Sequence, residues 1–257
     1  MFEYILCGKV RSLGGPLSRS LVECGFARFR NDDDTTVDEP IALLAAANFF
    51  TTHTTWSMRS LLETHLTSLN PAARGFSFEH FIAYLLARAF KSPRALSSVF
   101  DFIDETELTD EVAHLVAINL ADDSQFICTP VDISSNGGPH YILGCSPSSE
   151  VETLEWLKNP QNTVFCFPVK SVGPDVILTL QLSDGGIVRA LVQCKQRNQA
   201  TLSAQQTQDA FRSTDPQQFI SQRVEDPETK QMMCIFFLYL SLFPSDETTA
   251  VSLQIRS

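Results

Sequence analysis

The sequence predicts a mixed fold of α+β or α/β type, with a helical N-terminal region ahead of a sheet-centred domain. Three observations carry that expectation. A helical period runs from Phe78 to about Phe90. Two apolar runs flank the turn Ser183-Asp184-Gly185-Gly186, the pattern of a β-hairpin. Met232 to Phe243 is a continuous apolar run rich in Phe, Ile and Leu, as expected of a strand buried on both faces. The 257 residues suffice for one large domain or two small ones, and we divide them into 1–70 and 71–257.

In chain order, Leu21–Arg30 reads as a helix, a glycine and a short strand, and Asn31-Asp32-Asp33-Asp34 as a polar turn. Ile41, Leu43, Leu44, Ala47, Phe49 and Phe50 make one helical apolar face. Trp56, Leu61, Leu62, His65 and Leu66 make the next, and Asn70-Pro71 ends it because a residue before proline is pushed out of the helical region. Ser77 is placed to cap the following helix, whose buried stripe is Phe78, Ile82, Leu85, Leu86 and Phe90. Glu79 lies one residue off that stripe, where a carboxylate favours the helix dipole.

Thr109 to Leu120 reads as a helix or a strand, and Asn136–Pro139 as a loop. Ser148–Leu157 is a capped amphipathic helix, and Thr163–Val169 a short strand ahead of the hairpin. The segment after Lys195 reads as a polar helix anchored by Leu202 and Phe211, whose face of Gln205, Gln206 and Gln208 suits solvent first and contact with DNA second. Val251–Ile255 adds an edge strand.

The formal net charge of −11 disfavours nonspecific nucleic-acid binding by the chain as a whole. The charge is unevenly spread. Ala95–Leu157 carries twelve Asp or Glu and no Lys or Arg, while the rest holds nineteen basic and eighteen acidic residues. Basic patches are therefore open to Arg189, Lys195, Arg197, Arg212 and Arg223, and we read about 95–157 as an acidic insertion. Seven cysteines without a C-x-x-C pair read as reduced thiols of an intracellular protein, in cytoplasm or nucleus. The N-terminus lacks the basic n-region and cleavage pattern of a signal peptide, and the longest apolar run is too short for a membrane span.

The hairpin gathers the chemistry. Gln193 and Lys195 share one strand face and Cys194 points to the other. A three-residue loop at Asp184-Gly185-Gly186, with Gly186 left-handed, pairs Ser183 with Ile187 and Asp175 with Lys195, which puts carboxylate, amide and ammonium on one face. A two-residue loop at Asp184-Gly185 turns Asp175 away unless a bulge corrects it. On one face, these groups suit a hard cation held against a phosphodiester, since Mg²⁺ takes one or two carboxylates and keeps several waters.

Pro174-Asp175 with Gln193-Cys194-Lys195 resembles the PD-(D/E)XK, or restriction-endonuclease-like, nuclease superfamily. The glutamine is similar to the Mrr-type branch, whose core reads Asp…Gln-x-Lys, and Phe76-Ser77-Phe78-Glu79-His80-Phe81 is similar to that branch's Phe-Glu helix. The resemblance spans about residues 76 to 243. It implies an αβββαβ core in which Thr163–Val169 is the first strand, and a metal-dependent DNA endonuclease using Mg²⁺, or Mn²⁺ as substitute. Asp175, Gln193 and Glu79 would hold the metal, and Lys195 would orient the attacking water or stabilise the transition state. Arg189, Arg197 and Arg212 would contact DNA.

The first fifty residues are similar to the winged, lid-like tail that follows P-loop ATPase modules in large fungal and selfish-element proteins. No G-x-x-x-x-G-K-[ST] motif is present, so the resemblance implies a fragment or a descendant without its ATPase, with an NTPase partner or fused domain, and leaves room for a homodimer; the residues themselves read equally as a helical cap packed on the domain. The competing expectation is a catalytically inactive nuclease-like domain that binds or regulates. Glutamine in place of a carboxylate removes a charge from the metal set, and the acidic block suits a basic partner.

Overall fold

The computed structural model describes residues 12–13, 16–25, 27–29, 35–37, 71–100, 108–120, 126–131, 143–197, 233–241 and 251–256. It also describes isolated helical positions between 41 and 66 and between 205 and 212. The predicted break at Thr51–Thr55, the loop at Asn136–Pro139 and the anchors Leu202 and Phe211 lie outside the described residues. The fold is mixed α+β, and no helix among the described residues is long and apolar enough to cross a membrane.

At the N-terminus, β1 (Ser12–Leu13), β2 (Arg28–Phe29) and β3 (Thr35–Thr36) form a small sheet in the order β1-β3-β2, with α1 (Pro16–Glu23) leading through Gly25 into β2. Gly25 has φ +75°, a left-handed helix stop that glycine adopts without strain. The predicted helix–glycine–strand sequence is thus found.

The main helix, α2, spans Pro71–Ala89. It starts seven residues earlier than Phe78, the first helical residue that a cap at Ser77 predicts, because proline is accommodated at a first helical position, where its missing N–H has no intrahelical partner anyway. Ser77 consequently sits inside the helix and is buried. The predicted stripe does face the core: Phe78, Ile82, Leu86 and Phe90 are buried, Phe81 joins them, and Leu85 is only partly covered. Each such side chain contributes roughly 1.5–3 kcal/mol of burial.

Two strands, β4 (Arg94–Ala95) and β5 (Val112–Leu120), come next. Strand β6 (Phe126–Pro130) turns back along the second half of β5. Then come β7 (Gly144–Cys145), α3 (Glu150–Lys158), β8 (Phe165–Cys166), β9 (Val176–Leu182), β10 (Ile187–Arg197), β11 (Met233–Ser241) and β12 (Val251–Arg256). The large sheet runs β12-β11-β10-β9-β5-β4; β10 is antiparallel to β9 and parallel to β11.

One edge of β9 is shared. Ala113–Leu115 of β5 pair with Leu180–Leu182, and β8 fills in beside Ile177 and Leu178. This corrects the expectation that Thr163–Val169 supplies the first core strand. That segment yields only a two-residue strand, while Val112–Leu120, inside the acidic block, is the long neighbour of β9. Buried Ala113, Leu115, Val116 and Ile118 explain why: the acidic residues lie at its margins, and the strand itself is apolar. The acidic segment is therefore partly built into the sheet.

Alternation along β9 and β10 splits the core. Val176, Leu178, Val188, Ala190, Val192 and Cys194 pack toward α2, whereas Ile177 and Leu191 join Trp156 and Leu157 of α3 on the other face. Helix α3 starts as predicted. Ser149 accepts from the Glu152 N–H at 3.2 Å, and Glu152 reaches back to the Ser148 N–H at 2.6 Å. The Ser148 N–H and then the Ser148 hydroxyl, both donating to the Glu152 carboxylate, lower its pKa.

Candidate metal and phosphodiester site

The site begins with the register of the β9–β10 hairpin. Pairs run from Ile187 with Gln181 to Val192 with Val176, and Leu182 N–H reaches Gly186 O at 2.8 Å. The three-residue loop is therefore Ser183-Asp184-Gly185, one residue earlier than predicted, and the left-handed residue is Gly185 (φ +90°), not Gly186. Two bonds select this loop. Gly185 N–H closes a turn onto Leu182 O at 3.0 Å, and the Asp184 carboxylate accepts from Gly186 N–H at 2.7 Å.

The consequence is a shift of two residues, so the rung after Val192–Val176 sets Asp175 opposite Gln193 rather than Lys195. Parity is preserved, and Asp175 and Gln193 share a face. The Gln193 Nε2 donates to Asp175 Oδ2, and the same oxygen accepts the Cys194 backbone N–H at 2.6 Å. Strand β9 has ended there, so the carboxylate completes the ladder of β10 in place of a backbone carbonyl. Gly173 delivers the chain to this position with φ +107° and ψ −68°, and Pro174 is buried behind it. Because only glycine adopts that backbone readily, Gly173→Ala is expected to cost about 1–3 kcal/mol in chemical denaturation.

Beyond Asp175, β10 runs on through Lys195, paired with Tyr239, to Arg197, paired with Ser241. Strand period places Lys195 on the Gln193 face, but its side chain and that of Arg197 lie outside the described residues. The strand thus continues where a polar helix was expected to begin. Arg212 is exposed, as are Gln205 and Gln208, each at a helical position.

Glu79 is partly buried on α2, beside the buried His80, whose ring meets Phe167 edge-on at 4.8 Å between centroids. Phe167 follows β8, next to the Asp175 end of β9, so Glu79 belongs to the same end of the sheet. Its helix covers the Val192–Cys194 face, opposite that of Gln193.

Arg189 corrects a prediction. It is 3% exposed, so it is a core residue and presents no charge to DNA. Its guanidinium donates to Thr179 Oγ1 and to Leu157 O at 3.2 Å, and lies 5.4 Å from the Trp156 ring centre. Burial pulls its pKa down to about 10, which still leaves it charged at neutral pH. The spacing Arg189, Leu191, Gln193 already put it on the face that α3 covers; that α3 covers it was not readable locally.

Among the described residues, no three His, Cys, Asp or Glu side chains gather as metal ligands. Asp175 with the Gln193 carbonyl fits a Mg²⁺ that keeps most of its waters, provided the Gln193 amide rotates to turn Oε1 toward the ion. No protein-family model, curated protein or solved structure matches the chain.

Proposed function

We propose that this chain is a metal-dependent phosphodiesterase acting on DNA, of the restriction-endonuclease-like class, working inside the cell. The observation that carries the reading is the Asp175–Gln193 pair at the Asp175 end of β9, with Lys195 two residues beyond Gln193 on β10. The element order supports it: a helix, the antiparallel strands β5, β9 and β10, helical positions at 205–212, then β11 parallel to β10.

Asp175 anchors Mg²⁺ or Mn²⁺, Gln193 offers a neutral oxygen, and Glu79 supports the set from the α2 side. A bound ion polarises a phosphodiester oxygen and lowers the pKa of a water. Lys195 holds the scissile phosphate and offsets charge that develops on it. Arg197 and Arg212 supply backbone contacts to DNA. An NTPase partner or fused domain and a homodimer are compatible with this reading.

The test is incubation of supercoiled plasmid with the full chain in Mg²⁺ and in Mn²⁺, beside Asp175→Asn and Lys195→Ala. Asparagine keeps an acceptor for the Cys194 N–H, so the fold is retained while the ligand charge is lost. Metal-dependent nicking that disappears in both variants is the expected result. The second reading, a silent binding module, is favoured by the Gln193–Asp175 bond, which closes the carboxylate within the protein. A folded wild type that neither cleaves nor binds either ion would establish it.

A further inference from the structure

We propose that Cys145 and Cys166 are a redox-active pair, joined as a disulfide by peroxide and reopened by a thiol reductant. The inference does not depend on the nuclease reading. The two residues are direct partners of the parallel β7–β8 ladder. Neighbouring strands lie about 4.8 Å apart, within the Cα separation of roughly 4.4–6.8 Å that a disulfide spans. Partners in a ladder present their side chains to the same face, so the sulfurs are side by side. Both residues are free thiols in this structure.

The two thiols have different surroundings, and these assign their roles. Cys166 is fully buried among Trp156, Leu157, Ile177 and Leu191, and burial pushes its pKa well up. Cys145 packs at the rim of that cluster and is partly exposed. Hydrogen bonds from Cys166 and then Thr163 lower its pKa, against desolvation and the Glu152 carboxylate. Cys145, the accessible thiol of the pair, is therefore the one that meets the oxidant, and Cys166, buried behind it, the one that resolves.

The chemistry balances with peroxide as oxidant. The Cys145 thiolate attacks one peroxide oxygen, the O–O bond breaks, and protonation of the leaving oxygen gives water and a sulfenic acid. Cys166 sulfur then attacks Cys145 sulfur. The S–O bond breaks, the S–S bond forms, and the thiol proton leaves with hydroxide as a second water. Two thiols have lost two electrons to one peroxide. A thiolate of an external dithiol reverses the bond by exchange.

The position gives the bond a consequence. Cys166 pairs with Ile177, and Ile177 with Leu191; the next rung on this face is Asp175–Gln193. Oxidation thus fastens β7 to β8 one rung from the candidate site.

The experiment uses the full chain carrying Cys128→Ser, reduced, desalted and exposed to hydrogen peroxide, then alkylated and digested with trypsin without reduction. The expected product joins the peptide 95–158, through Cys145, to 159–170, through Cys166, and disappears with dithiothreitol. Cys166→Ser should halt at a Cys145 sulfenic acid trapped by dimedone. Cys145→Ser should slow oxidation of Cys166 by about tenfold or more. Cys166→Ala replaces the serine variant if that one does not fold. Cys145 advancing to sulfinic acid while Cys166 remains alkylatable, or bridges scattered over other cysteines, would overturn the proposal.

Discussion

Arg189→Ala is expected to lower the free energy of unfolding by about 3 kcal/mol, and Arg189→Met by less than about 1 kcal/mol, in urea denaturation of the full chain. The partners of this guanidinium are a hydroxyl, a carbonyl and an indole face, none of them a carboxylate. A buried cation without a counter-charge carries a desolvation cost, and the fall of its pKa to about 10 expresses that cost. A pKa lower in the folded than in the unfolded chain means the charged form is disfavoured by folding. The penalty is therefore present below about pH 10 and is relieved as pH rises past it.

Alanine removes the stem that fills the space between β10 and Trp156, so a cavity is added to the lost bonds. Methionine fills most of that space, sheds the charge, and gives up only the donors to Thr179 and Leu157. Near-equal stability of wild type and the methionine variant would show that volume beneath α3 is what the position supplies. A loss as large as alanine's would show that the bonds to Leu157 O and Thr179 hold α3 on the sheet.

The same residue illustrates what was legible in the sequence. Strand period, which puts Gln193 on one face and Cys194 on the other, also puts Arg189 and Leu191 on the Gln193 face, and the core is divided that way. Whether a face is covered depends on a helix thirty residues upstream, and no local pattern encodes that. The hairpin was legible to within one residue. Both Asp184-Gly185-Gly186 and Ser183-Asp184-Gly185 are three-residue loops with a glycine at the left-handed position, and side-chain bonding from Asp184 decides between them. Hydrophobic content alone left Thr109–Leu120 undecided between helix and strand. Pairing with β9, a contact between distant segments, makes it a strand. The Cys145–Cys166 pair had no local signal, since it exists only through the β7–β8 ladder.

Gln193→Glu should separate the two readings of the site more sharply than any deletion, because it changes the ligand charge by one unit while keeping the length and heavy-atom count of the side chain. In the protein without metal, Gln193 Nε2 donates to Asp175 Oδ2. A glutamate there has no donor when ionised, so two carboxylates would face each other on a largely buried rung. One of them must then hold a proton, which raises a pKa in the folded state above its unfolded value. Stability of the variant is therefore retained at low pH and lost as pH rises through that raised pKa. At neutral pH the expected loss is about 1–3 kcal/mol relative to wild type.

Mg²⁺ or Mn²⁺ should reverse the loss, because a divalent ion between two carboxylates replaces repulsion by coordination. We expect the variant to bind either ion at least about tenfold more tightly than wild type, since ligand charge sets affinity at oxygen sites. A ligand at about one hundred times its Kd adds about 2.7 kcal/mol, so a metal titration followed by thermal midpoint reads the change directly. Asp175→Asn lies at the other end of the series, with affinity below wild type and the Cys194 N–H still accepted. An ordering of midpoint response Gln193→Glu, then wild type, then Asp175→Asn is what an ion site at this rung requires. A glutamate variant that loses stability and does not respond to metal would leave Asp175 as a ladder cap alone, and the chain as a binding module.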